Sequence, residues 1–123
     1  MGLKFFLFVG LGGGIGSVCR AILAHLLSGQ TLLATVLANL GGAFLIGFLA
    51  KWGTNFGSSE VFRAFWIVGI CGGFTTFSTF GMDLYGLLQR GSWMWGLLYI
   101  IANFMGTLLL IWIGFRTAHM TFS

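Results

Sequence analysis

Hydrophobic positions in this chain do not alternate with polar ones; they run on. Charge-free stretches cover 5–19, 21–50, 64–82 and 91–115, and only Arg20 separates the first two. A spanning helix needs ~20 mostly apolar residues. The runs therefore predict four helices, at about 3–27, 32–51, 61–89 and 93–115, with Arg20 inside the first. Turn-like stretches separate them: Ser28-Gly29-Gln30, the polar segment from Gly53 to Glu60, and Arg90-Gly91-Ser92. Ser58 or Ser59 is suited to cap the third helix. Trp52, Trp66, Trp93, Trp95 and Trp112 fall near predicted ends, as interfacial aromatics do. Phe5 to Val9 after Lys4 resembles a signal-peptide core, but no small-residue cleavage site follows. The myristoylation pattern fails at Phe6.

Composition narrows the class. Of 123 residues, 58% are hydrophobic and 7% charged, where a soluble domain carries ~25% charged residues. Eight charges cannot cover a water-soluble globule of this size, and the aromatic content excludes a disordered tail. The expectation is an all-α integral membrane protein forming one domain over 1–123. The net charge of +4 comes from six Lys/Arg against Glu60 and Asp83. In a membrane protein that excess points to topology or an anion path rather than nucleic acid. Four spans place both termini and the 53–60 loop on one side, with Lys4, Lys51, Arg63 and Arg116; Arg90 lies opposite. The positive-inside rule then favours cytoplasmic termini, on a bias that one or two charges would erase. Cys19 and Cys71 both lie in apolar stretches and are expected as buried thiols.

Small residues suggest close helix packing: Gly10/Gly14 and Gly12/Gly16 in the first helix, Ala38/Gly42 and Ala43/Gly47 in the second, Gly69/Gly73 in the third. Spacing alone does not say whether the neighbour belongs to the same chain or a second one.

A few polar groups interrupt the apolar runs. A guanidinium inside a span costs at least ~2.5–3.5 kcal/mol, so Arg20 should meet water, a carboxylate or carbonyls; it either snorkels or serves an anion path. The preceding GLGGGIG is not a dinucleotide fingerprint, because Ile15 and Ser17 stand where glycine is required. Asn39 either bonds a neighbouring helix or lines water. The segment from Gly72 to Gly81 combines two glycines with a run of hydroxyls, which suggests a break in the third helix. Carbonyls freed there must find a partner, and a cation is one solution. Phe77 and Phe80 share a face; they are either packing residues or rings turned edge-on to a small anion. Tyr99, Asn103 and Thr107 form a polar stripe at i, i+4 and i+8, suited to donating hydrogen bonds to an anion or between helices. His25 and His119 lack ligand-spaced partners, and no nucleophile elbow or HExxH is present, so no enzyme activity is expected. Asp83 has no apparent partner and receives no role.

Three pieces, GGGIGSVCR at 12–20, NLGGAFLIG at 39–47 and GICGGFTTFSTF at 69–80, resemble the bacterial fluoride channels of the Fluc (CrcB) family. The resemblance covers essentially the whole chain. It implies an antiparallel, dual-topology homodimer in the bacterial cytoplasmic (inner) membrane, with the third helix of each chain broken mid-membrane. It implies a structural Na+ at the dimer centre, held by carbonyls of Gly72 and Thr75 of both chains. Two fluoride pores would flank that centre, lined by Phe77, Phe80, Asn39, Tyr99, Asn103 and Thr107, with Arg20 at an aqueous vestibule. Asn103 stands where several relatives carry Ser, and it keeps a donor there. The one-sided charge sits awkwardly with dual topology.

The resulting expectation is passive, selective export of fluoride giving fluoride resistance: donors and positive ring edges replace its water, and larger halides are excluded. Two other classes compete. A small dual-topology drug/proton exchanger has similar length but needs a membrane-embedded carboxylate, and the first three helices offer none before Asp83. A non-transporting assembly subunit would explain the glycines but not the polar stripe or the TTFSTF segment.

Overall fold

The computed structural model describes residues 1–55, 57 and 59–122, the side chain of Phe122 excepted. The described residues form helices and turns. Four helical spans are long and apolar enough to cross a membrane: Leu3–Leu26, Thr31–Thr54, Glu60–Gln89 and Trp93–Thr121. Large apolar side chains cover the outside, among them Leu7, Leu11, Leu108 and Trp112. In lipid that is the satisfied arrangement, because the surrounding tails are as apolar as the side chains.

The ends follow local chemistry. Ser59 caps the third span, its hydroxyl accepting from the Phe62 N–H at 3.0 Å; the alternative cap, Ser58, lies outside the described residues. Gly29 and Gly91 occupy the left-handed region (φ 85° and 73°) in the two short turns, where a Cβ would be strained. The fourth helix runs on to Phe122, well beyond the charge-free stretch that ends at 115. A helix needs apolar side chains only inside the bilayer. Past residue 115, Thr117 and Thr121 bond back to the carbonyls of Ile113 and Thr117 at 2.8 Å.

Small residues decide which helices meet. A Cβ on Gly12 would strike the Phe65 carbonyl oxygen, and one on Gly16 that of Ile70. From the other side, Gly69 abuts Gly12, and Gly73 abuts Gly13 and the Ser17 nitrogen. The Gly12/Gly16 and Gly69/Gly73 pairs therefore interlock the first and third spans of one chain. Gly47 meets the Ile111 carbonyl and Gly114 that of Phe44, which fastens the second span to the fourth. Gly10 and Gly14 face open space. Cys71 is buried, but Cys19 is exposed, contrary to the sequence expectation. The first helix turns its glycine face inward, and Cys19 falls on the side that faces outward.

The third span is not one helix. Its leading segment, residues 60–74, has a π-wound middle, Arg63–Cys71, where the Gly72 N–H reaches the Ile67 carbonyl five residues back. Thr75 (φ −80°, ψ 158°) and Thr76 (φ −150°, ψ 125°) are extended. Helix then resumes as the trailing segment, Phe77–Gln89. The sequence pointed to Gly72-Gly73 and the hydroxyls together; the glycines remain helical and the threonines carry the interruption. β-branched residues fit extended backbone, and the Thr76 hydroxyl accepts from the Thr79 N–H at 3.1 Å to start the next helix.

Candidate functional site: a polar chain beside an open groove

An interruption frees backbone groups, and each needs a partner in an apolar setting. The Thr76 N–H donates to Asn39 Oδ1 at 2.8 Å. Asn39 Nδ2 donates to Asn103 Oδ1 at 2.8 Å, and Asn103 Nδ2 donates to the Tyr99 carbonyl at 3.0 Å. The interruption is thus tied through two amides to the second and fourth helices. Each amide nitrogen has a second N–H beyond those bonds. On the same side, Tyr99 donates to Asp83 Oδ2 at 2.6 Å and Thr35 donates to the same oxygen at 2.7 Å. Among the described residues no buried side-chain polar atom lacks a partner.

Beside this chain lies a groove of about 600 Å³. Asn39, Asn103 and Thr107 line it together with Gly72, Thr75, Phe77 and Phe80. Phe80 is buried and stacks on Tyr99, centroids 5.3 Å apart and planes 25° apart. That covers one ring face. Phe77 lies 5.7 Å from Phe80 and Phe104 5.6 Å from it. Phe77 is 75% exposed, so one chain closes only part of the groove.

Seven of the nine candidate residues come together here. Tyr99 does not line the groove; it lies behind Phe80 with its hydroxyl on Asp83. Arg20 is also elsewhere, on a crevice of about 190 Å³ with Thr35, Thr76, Thr79 and Asp83. Its Nε donates to the Gly73 carbonyl at 3.1 Å.

Sequence reasoning missed Thr35, Thr76 and the part played by Asp83. The signal for Asp83 was present: a lone carboxylate in an apolar span requires donors. Thr35 and Tyr99 could not be matched to it without the fold, since they lie 48 and 16 residues away.

Four carbonyls around the interruption bear on a cation. Cys71 accepts from both the N–H and the hydroxyl of Thr75 at 3.1 Å, and Gly73 is taken by Arg20. Gly72 and Thr75 sit beside them in the chain. Both residues border the groove. Hard oxygen donors of this kind fit an alkali cation.

Four apolar spans, one of them interrupted beside a largely apolar groove that Asn39, Asn103 and Thr107 border, define the class as a multi-pass helical membrane protein. The chain belongs to the CrcB family: the model of CrcB-like protein, Camphor Resistance (CrcB), matches residues 7–115. It is 38% identical over 117 residues to "Fluoride-specific ion channel FluC" of Rhizobium meliloti (strain 1021), covering 91% of this chain and 94% of that one. The protein of that name from Elusimicrobium minutum (strain Pei191) is 37% identical over 123 residues, covering 96% of each chain. That from Escherichia coli O139:H28 (strain E24377A / ETEC) is 39% identical over 126 residues, covering 95% of this chain and 99% of the relative. The chain is accordingly a multi-pass protein of the bacterial inner membrane.

Proposed function

We propose that this protein is a fluoride-selective channel that lets fluoride leave the cell passively and so confers fluoride resistance. The observation that supports the reading is the groove at the interrupted third span, which Asn39, Asn103 and Thr107 line together with Phe77 and Phe80. The names of its relatives give the ion.

Fluoride is small and strongly hydrated, so a pore must replace its water as it enters. The second N–H groups of Asn39 and Asn103 and the Thr107 hydroxyl are the donors on one wall. Phe77 and Phe80 supply ring edges, which are the positive part of the aromatic quadrupole. Tyr99 holds Phe80 by stacking. Arg20, in its crevice, draws anions toward the entrance. Chloride is excluded because its weaker hydrogen bonding and larger size do not fit donors held this rigidly. Hydrogen fluoride enters an acid-stressed cell and dissociates, and the membrane potential drives the anion out, at ~2.3 kcal/mol per charge per 100 mV.

The working unit in this reading is an antiparallel homodimer of dual topology, surrounded by lipid, with two pores and the interruption at mid-membrane. The exposure of Phe77, Phe104 and Leu108 around the groove supports a second copy as its other wall. A central Na+ would be held by the carbonyls of Gly72 and Thr75 of both copies. When bound it supplies a fixed positive charge that compensates oxygens left without donors.

Fluoride efflux from liposomes holding the purified protein, read with a fluoride electrode beside chloride efflux, tests the reading. Fast fluoride release without chloride release is expected. No release from well-folded protein would remove the channel reading.

A further inference from the structure

We propose that Arg20 is a positioning residue: its Nε holds the Gly73 carbonyl and thereby fixes the end of the leading segment at the interruption. This goes beyond the anion-attracting role given to Arg20 above, and only its flux arm rests on the channel reading.

The argument begins with how the side chain arrives. The first helix tracks the leading segment along a glycine seam, Gly12 at Phe65 and Gly69, Gly16 at Ile70 and Phe74, Gly13 at Gly73. Arg20 continues that face one turn beyond Gly16. It therefore reaches the segment where the helix stops and its carbonyls lose their intrahelical partners. A carbonyl left unpaired in apolar surroundings is costly. A cation at a helix C-terminus is also favoured by the dipole.

The atom that makes the bond matters. It is Nε that donates at 3.1 Å, which leaves the terminal nitrogens to the crevice shared with Thr76, Thr79 and Asp83. Attracting anions requires only a charge. Holding Gly73 requires a donor at one position on the side chain. The two demands separate by substitution. Glutamine carries its Nε2 the same number of bonds from the backbone as the arginine Nε, without charge. Lysine keeps the charge but has a methylene there. Methionine supplies neither.

The experiment is hydrogen exchange by mass spectrometry on the full chain in lipid nanodiscs, read over residues 74–79. Two amides there report directly on the interruption: Thr76, bonded to Asn39, and Thr79, bonded to the Thr76 hydroxyl. A lost charge-assisted hydrogen bond corresponds to roughly ten-fold or more in local opening. Arg20→Lys and Arg20→Met should both exchange that much faster over 74–79. Arg20→Gln should stay within about three-fold of the parent protein, the residue of a weaker neutral bond. The peptide covering 93–115 in the same digest identifies global loosening, and if Arg20→Met does not fold, the lysine–glutamine contrast decides alone. Arg20→Lys matching the parent while Arg20→Gln opens the segment would overturn the proposal in favour of charge alone. Equal exchange in all variants would overturn it too. In the flux arm, Arg20→Lys should slow fluoride efflux although its charge is intact. A parent protein that releases no fluoride would remove the channel reading and leave the exchange result standing.

Discussion

The two segments of the third span are held by opposite means. The leading segment, 60–74, meets the first helix through bare backbone: Gly12, Gly16, Gly69 and Gly73 leave no room for a Cβ. The trailing segment, Phe77–Gln89, is tied by polar side chains, Thr76 to Asn39 and Asp83 to Tyr99 and Thr35. In lipid there is no hydrophobic gain from bringing apolar helices together, so close backbone packing and interhelical hydrogen bonds are the means available. This protein relies mainly on the first before Thr75-Thr76, where Arg20 adds a hydrogen bond to Gly73, and on the second after it. The packed side is the closer backbone fit. The bonded side carries the polar chain that runs beside the groove.

The contrast predicts unequal sensitivity. The largest effect should come from the seam. Gly12→Val would drive side-chain carbons into the Phe65 carbonyl and the Gly69 backbone, neither of which can rotate away. Overpacking of this kind costs about 1–3 kcal/mol or more. Gly14→Val, which meets open space within the chain, should leave the fold of the chain within about 0.5 kcal/mol. Unfolding titrations in mixed micelles would compare them; equal losses would refute the assignment of the seam to Gly12 and Gly16.

On the bonded side, Asn39→Ala strands the Thr76 N–H and removes the donor to Asn103 Oδ1. A loss of about 1–2 kcal/mol is expected. Asn103→Ala removes the bond from Asn39 and its own bond to the Tyr99 carbonyl but leaves the Thr76 N–H paired, and should cost less in the same titration. On this side the smallest effect should follow Thr76→Val, which keeps a β-branched residue in extended backbone but deletes the cap on Thr79. About 1 kcal/mol is expected, with faster amide exchange at 77–80 and none at 60–74. Exchange spreading into the leading segment would show that the two segments are not separately anchored.

Much of the fold was legible because lipid imposes a simple constraint. Uninterrupted apolar runs of spanning length have few alternatives to a helix, so four spans could be read directly. The candidate residues were also legible by type, since Asn39, Asn103 and Arg20 are expensive in an apolar run unless a partner exists. What the pattern could not supply was the partner. Periodicity put Tyr99, Asn103 and Thr107 on one face, yet the fold sends Tyr99 to Asp83 and leaves the other two on the groove. Gly72-Gly73 and the hydroxyl run together suggest the break, yet both glycines stay helical. Gly73 serves instead in the seam against Gly13, where a missing side chain is worth more than a propensity.

The amino-acid sequence by itself determined the class, the number of spans and the short list of polar groups that had to be satisfied. Those follow from local quantities: hydropathy over a window, spacing along a helix, and the cost of a buried charge. Only the tertiary structure decided which glycine pair faces which backbone, that Arg20 meets Gly73, and that Asp83 is shared by Thr35 and Tyr99. These pairings join residues as far apart in the chain as Phe44 and Gly114. They depend on how four helices rotate about their axes against one another, a choice made by the fit of whole surfaces rather than by any one segment.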